Sequence, residues 1–321
     1  MKRHFRRLIP FILIFGMMFG FMSQLAPLAH DISMMPIMQM SGYSQALTTD
    51  ESEWLAGAFE GSFTGQTGLF SQDSSIYNHE LATLAAELSH LAYAPAALYN
   101  RLVLLGMSNI RRFETGVRWQ LQDFDPHYVE FTVGLSCVER NNNIYNLIIV
   151  VVRGTSTTYE WISNFIVNQE GEADAHHGFE LATARLLDDL LDYLPDDIVN
   201  NPENNIFLIT GHSRGGAASN LLASVYRHRL PVRYENLFTY TFAAPNTMSP
   251  RYYAADFPIF NIVNVYDLVP RVPTGNWIRA GTDKFFYNFS WVPVARIYFD
   301  HCHEMHLNWM RDNTSCSLSV R

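Results

Sequence analysis

Ile206-Phe207-Leu208-Ile209-Thr210-Gly211-His212-Ser213-Arg214-Gly215-Gly216 is an apolar run that breaks into a serine set between glycines. The run reads as a buried strand, and the residues from Arg214 to about Arg229 read as a helix. A G-x-S-x-G joining strand to helix is the pattern of a nucleophile elbow. There the serine occupies a strained turn that small flanking residues make sterically possible. Its hydroxyl then stands above the end of the strand, beside the amino end of a helix whose N–H groups suit a developing oxyanion. The doubled Gly215-Gly216 predicts a helix pressed closely on the sheet.

The flanking sequence repeats the alternation of strand and helix. Upstream, Tyr128 to Val138 alternates like a strand, Asn141-Asn142-Asn143 breaks it, and Ile144 to Val152 reads as a central strand buried on both faces. Gly178 to Leu194 is an amphipathic helix, and Leu237 to Ala243 and Ile259 to Val265 are further strands. His79 to Tyr93 places Leu81, Leu84, Ala85, Leu88, Leu91 and Ala92 at helical spacing, with Pro95 ending the run. Strands alternating with helices predict an α/β fold with a mostly parallel sheet covered on both faces. Chemistry in such a sheet belongs at the carboxyl ends of its strands.

A serine needs a base, and the base needs an orienting acid, in the chain order Ser, Asp, His for an elbow of this type. Asp267 ends the strand-like Ile262 to Tyr266 and precedes Leu268-Val269-Pro270, so it is the candidate acid; Asp256 and Asp283 are rivals with less clear placement. The base comes from the tail, where His301, His303 and His306 lie within six residues. On a helix His303 and His306 stand about 200° and 140° from His301, so the three do not converge on one metal ion. No metal site is expected, and His301, His306 and His303 remain alternatives for the base. His176 and His212 read as structural.

The chain has 321 residues, 48% hydrophobic and 17% charged, with 22 Lys and Arg against 31 Asp and Glu. It can bury a large core, and its net charge of −9 leaves no basic footprint for nucleic acid. Lys2, Arg3, Arg6 and Arg7 precede an apolar run from Leu8 to Met22, so residues 1–29 read as an export signal or an uncleaved membrane anchor. That predicts a secreted or otherwise extracytoplasmic protein. Residues 30–77, rich in Met, Ser, Gly and Thr, read as a low-order arm or spacer, and residues 78–321 as the folded domain. The cysteines are Cys137, Cys302 and Cys316; a Cys302–Cys316 bridge is the natural pairing if one forms.

With these blocks assembled, the sequence resembles the class 3 lipases, the family of the fungal triacylglycerol lipases and many bacterial relatives. Val151-Val152-Arg153-Gly154-Thr155 and Trp161-Ile162 are similar to its R-G-[ST] strand end and the lid segment after it. His176-His177-Gly178-Phe179 is similar to its H-x-G-F helix start. The Ser213 elbow with Thr239 to Asn246, and Asn264 to Pro273 with its N-x-x-D-x-V-P-x-x-P pattern, resemble its core. His301 to Trp309 resembles the H-x-x-E-x-Y-L-x-W tail of bacterial members, while His306-Leu307 resembles a different H-L tail.

The resemblance implies an α/β-hydrolase fold and a serine hydrolase of carboxylic esters, most often acylglycerols, using Ser213, Asp267 and His301 and no cofactor. It implies an oxyanion hole built from Thr155 and the backbone N–H of Arg214. Ser156 to Ile166, with Tyr159, Trp161, Ile162, Phe165 and Ile166, would be a lid that opens on a lipid surface, the alternative being that these residues pack against the sheet. Phospholipids and short-chain esters are alternative substrates. An amide-cleaving hydrolase and a non-catalytic surface protein on the same fold are the alternatives from other classes.

Overall fold

The computed structural model describes residues 62–64, 68–115, 128–154, 177–249, 257–273, 277–288 and 301–320. These belong to one compact unit, Gly57–Arg321. Residues 1–29, Thr155, the Ser156 to Ile166 segment, His176 and Asp256 lie outside the described residues.

The elements run α1 (His79–Leu91), α2 (Pro95–Leu104), β1 (Ser108–Thr115), β2 (Val129–Arg140), β3 (Asn143–Val152), α3 (His177–Tyr193), α4 (Asp196–Asn200), β4 (Asn205–His212), α5 (Arg214–Ala223), β5 (Leu237–Phe242), β6 (Ile259–Asn264), β7 (Thr282–Phe286), α6 (His303–Asp312) and β8 (Ser319–Val320). The strands form one eight-stranded sheet in chain order. β3 to β7 are parallel, and β1, β2 and β8 add antiparallel edges.

Strands laid down in sequence with right-handed crossovers must carry their crossover helices on one face. On that face α3 and α5 bury Phe179, Leu186, Leu190, Leu221 and Leu222 against Ile148, Val150, Phe207 and Ile209. The other face is left to helices from the two ends of the chain. There α1, α2 and α6 bury Leu81, Leu88, Leu98, Leu102, Leu307 and Met310 against Ile149, Val151, Leu208, Tyr240 and Phe242. The tail is thereby folded back over the sheet that carries Ser213.

Several boundaries differ from the sequence reading. Pro95 starts α2 rather than only ending α1, because proline at the first helical position lacks an N–H that has no intrahelical acceptor there anyway. The helix after Ser213 stops at Ala223, where the Ser224 hydroxyl donates to the Asn220 carbonyl and the backbone leaves helical geometry. The asparagine break is a two-residue hairpin loop, with Asn141 and Asn142 at φ 53° and 62° and Arg140 paired to Asn143. β1, β7 and β8 were not anticipated. Nor is residue 78 the start of the packed domain: Leu69 and Phe70 are buried in the core, and Ser62 bridges to Cys137 beside β2. Cys302 is a free thiol, so the Cys302–Cys316 bridge does not form.

Candidate active site

The register aligns the carboxyl ends of four parallel strands. Val152 pairs with Gly211, His212 with Phe242, and Phe242 with Ile262. Ser213 follows at the end of β4 with φ 57° and ψ −124°, a backbone conformation that costs a non-glycine residue about 1–3 kcal/mol. The surroundings hold it there. Its N–H donates to the Phe242 carbonyl at 2.8 Å, and its carbonyl accepts from Ala217 at 3.0 Å. A Cβ on Gly215 would overlap the Val152 carbonyl, and one on Gly211 would come within 2.5 Å of the Gly215 backbone. Only glycine at both positions lets the helix, the nucleophile strand and β3 approach this closely.

Two hydrogen bonds link Ser213 to the tail and to the loop after β6. His301 Nε2 is 2.8 Å from Ser213 Oγ, and His301 Nδ1 is 2.8 Å from Asp267 Oδ2. A carboxylate only accepts, so Nδ1 carries the ring proton and Nε2 accepts from the serine hydroxyl. Asp267 Oδ1 accepts the Val269 N–H at 2.9 Å, which fixes the carboxylate plane. All three side chains are buried.

The other tail imidazoles face elsewhere. His303 stacks on Tyr93 with ring centroids 4.3 Å apart and shares a 2.7 Å hydrogen bond with His90. Burial, aided by His90 and the other imidazoles, pushes its pKa down to about 3. His306 is fully buried against Phe242 and Phe286, and its Nδ1 meets the Cys302 carbonyl at 3.2 Å. Burial lowers its pKa to about 4. The rival acid Asp283 is engaged by Arg279 at 2.6 Å and by Asn261. Among the described residues no group of three His, Cys, Asp or Glu side chains is disposed to hold a metal ion.

Comparison with known proteins reads this geometry against a family. The model of the class 3 lipases matches residues 149–277, a span that includes the end of β3, the Ser213 elbow and Asp267. Over that span the chain is similar to the class 3 lipases.

Solved structures share the fold of this chain at low identity. Rhizomucor miehei triacylglyceride lipase is 21% identical with a TM-score of 0.50, covering 66% of this chain and 82% of that one. Lipase II from Rhizopus niveus is 17% identical with a TM-score of 0.50, covering 70% and 92%. The Rhizomucor miehei lipase–propeptide complex is 21% identical with a TM-score of 0.51, covering 66% and 70%. Among curated proteins no relative matches significantly.

Two parts of the candidate site escape a one-dimensional reading. Tyr93 at the end of α1 hydrogen-bonds His212 and faces Gly154, where an added Cβ would meet the Tyr93 hydroxyl and the His212 carbonyl. Glu130 on β2 is buried and pairs with Arg153 at 2.5 Å and Arg112 at 2.8 Å, which anchors the end of β3 beside the elbow. Neither residue sits in a motif, and an alternating apolar strand containing one buried glutamate next to an arginine-ended strand is the only trace either leaves. Arg214, the first residue of α5, stands next to Ser213 with its side chain buried.

Proposed function

We propose that the chain hydrolyses acylglycerols and related lipid esters by two-step acyl transfer, with Ser213 as nucleophile, His301 as base and Asp267 as the group that orients it. The observation that carries this reading is the pair of 2.8 Å hydrogen bonds joining Asp267, His301 and Ser213 at the ends of the parallel strands. As the serine oxygen attacks an ester carbonyl, its proton passes to His301 Nε2, and the imidazolium is stabilised by Asp267. The same proton is then delivered to the departing alcohol. Water attacks the acyl-enzyme with His301 again taking a proton, and the acid leaves. His303 and His306, held neutral and turned to other partners, have no part in this cycle.

The oxyanion is assigned to the backbone N–H of Arg214 and to Thr155. Arg214 opens a ten-residue helix, whose positive end favours the charge that forms on the carbonyl oxygen. Thr155 follows β3, and its role rests on the family's R-G-[ST] pattern. Export is supported by the basic residues and apolar run at the amino terminus, and among the described residues no helix is long and apolar enough to cross a membrane.

A panel of acylglycerol emulsions, phospholipid vesicles, chromogenic esters of increasing chain length and matched amides tests this proposal, with Ser213→Ala as control. Release of fatty acid from acylglycerols by wild type and its loss in Ser213→Ala is the expected result. Amide cleavage without ester cleavage, or undiminished turnover by the variant, would overturn it.

A further inference from the structure

The buried imidazole of His212 lies beside that of His301 without taking part in proton transfer to it from Ser213. Its Nε2 is 2.7 Å from the backbone carbonyl of His301, and its Nδ1 is 2.9 Å from the Tyr93 hydroxyl. A carbonyl only accepts, so Nε2 must carry the ring proton and donate it; Nδ1 then accepts from the Tyr93 O–H. One tautomer alone satisfies both partners.

We infer that His212 and Tyr93 are positioning residues, a relay that grips the main chain of the catalytic histidine and sets its approach to Ser213. The inference rests on the assignment of Ser213 and His301 to acyl transfer. His212 is the residue immediately before Ser213, so the elbow holds the base at two points. Ser213 meets the ring of His301 at Nε2, and His212 meets its backbone.

The surroundings fix each member. His212 is 3% exposed, and its ring centroid lies 4.7 Å from that of His301 and 5.7 Å from those of His303 and His306. Tyr93 is clamped by the stacked ring of His303, which His90 holds in turn. Burial first, then the neighbouring imidazoles, press the His212 pKa well below its ordinary value. The ring therefore stays neutral and keeps its accepting nitrogen for Tyr93 while His301 cycles through its charged form. A charged ring would turn Nδ1 into a donor and reverse the bond to Tyr93, whose oxygen would then accept.

The inference makes a prediction that a merely space-filling role does not. Displacement of a base by a fraction of an ångström to one ångström lowers the rate of the chemical step by up to about 100-fold without weakening substrate binding. His212→Leu fills most of the volume and removes both hydrogen bonds. His212→Gln returns an N–H at about the reach of Nε2, and Tyr93→Phe keeps the stacking but removes the lock on the tautomer.

The experiment measures kcat and KM on a short-chain chromogenic ester, per active site titrated with a serine-reactive phosphonate, with thermal melting as the check on folding. His212→Leu is expected to lose about 100-fold in kcat with KM within about twofold. Tyr93→Phe is expected to lose about tenfold, and His212→Gln to recover to within about tenfold of wild type. A folded His212→Leu with wild-type kcat overturns the inference, as does a folded His212→Gln no better than His212→Leu. Should His212→Leu not fold, a Tyr93→Phe enzyme with unchanged kcat overturns it. Ser213→Ala separates the two levels: if that variant keeps turnover, the acyl-transfer assignment itself is wrong, whereas an inert Ser213→Ala beside an undiminished His212→Leu removes the relay alone.

Discussion

His301 Nε2 and Ser213 Oγ are 2.8 Å apart across 88 residues of sequence, and the contact exists because α6 folds back over the face of the sheet that the crossover helices leave bare. The proposed base is thus supplied by packing of the tail, whereas the proposed nucleophile is supplied by a local turn. The two depend on different parts of the fold and fail in different ways.

Asp267 accepts one N–H on each oxygen, from His301 and from the Val269 backbone. Asn has a single oxygen, so Asp267→Asn must either present N–H to N–H or force His301 into the wrong tautomer. We expect kcat to fall by about 10⁴-fold with little change in melting temperature, read by steady-state kinetics and calorimetry.

Among the tail histidines only His301 reaches Ser213. His301→Ala is expected to reduce kcat by on the order of 10⁶-fold, as loss of a triad base does elsewhere. His306→Phe, which fits the aromatic surroundings of Phe242 and Phe286, should retain most of the activity. The reverse ranking in an ester assay would move the base to His306.

The buried histidines make the fold sensitive to acid. His306 and His303 titrate near 6.5 when unfolded and at about 4 and about 3 in the folded protein, so the unfolded chain binds protons that the native one refuses. Their contribution to stability is whole above about pH 6.5, declines as pH falls through that interval and is lost below the folded values. Each such group contributes a slope of about 1.4 kcal/mol per pH unit within its window. Urea midpoints measured from pH 7 to pH 4 should fall, and His306→Phe should fall less steeply; parallel curves for the two proteins would count against it.

Gly215 faces the Val152 carbonyl where a methyl group has no room. Gly215→Ala is expected to cost about 4 kcal/mol or more, or to leave the chain insoluble, because α5 and the end of β3 must part to admit it. Chemical denaturation of any soluble fraction measures the loss, and a change under 1 kcal/mol would contradict the packing described.

The parallel core was legible in the sequence because β3 to β6 are apolar runs buried on both faces, and such runs announce themselves without reference to neighbours. Ser213 was legible for a related reason: the elbow is a local steric device, and Gly211 and Gly215 write it into consecutive residues. The histidine was ambiguous because His301, His303 and His306 differ only in direction, which the turn at Cys302 decides by leaving the backbone extended between His301 and α6. Strands β1, β7 and β8, at or next to the sheet edges, carry mixed polar sequences set by their neighbours, and Tyr93 reaches His212 only after α1 has docked on the sheet. Pro95 misled because the same residue that terminates one helix is well suited to open the next.

Acyl transfer by the proposed mechanism passes through a covalent ester on Ser213. Rapid acid quench during turnover of a slowly deacylating ester, followed by digestion and mass spectrometry, tests it most directly. The expected result is one acyl mass on the peptide that contains Ser213, absent from Ser213→Ala and from His301→Ala. An acyl group on any other residue, or wild-type turnover by Ser213→Ala with no adduct at all, would contradict it.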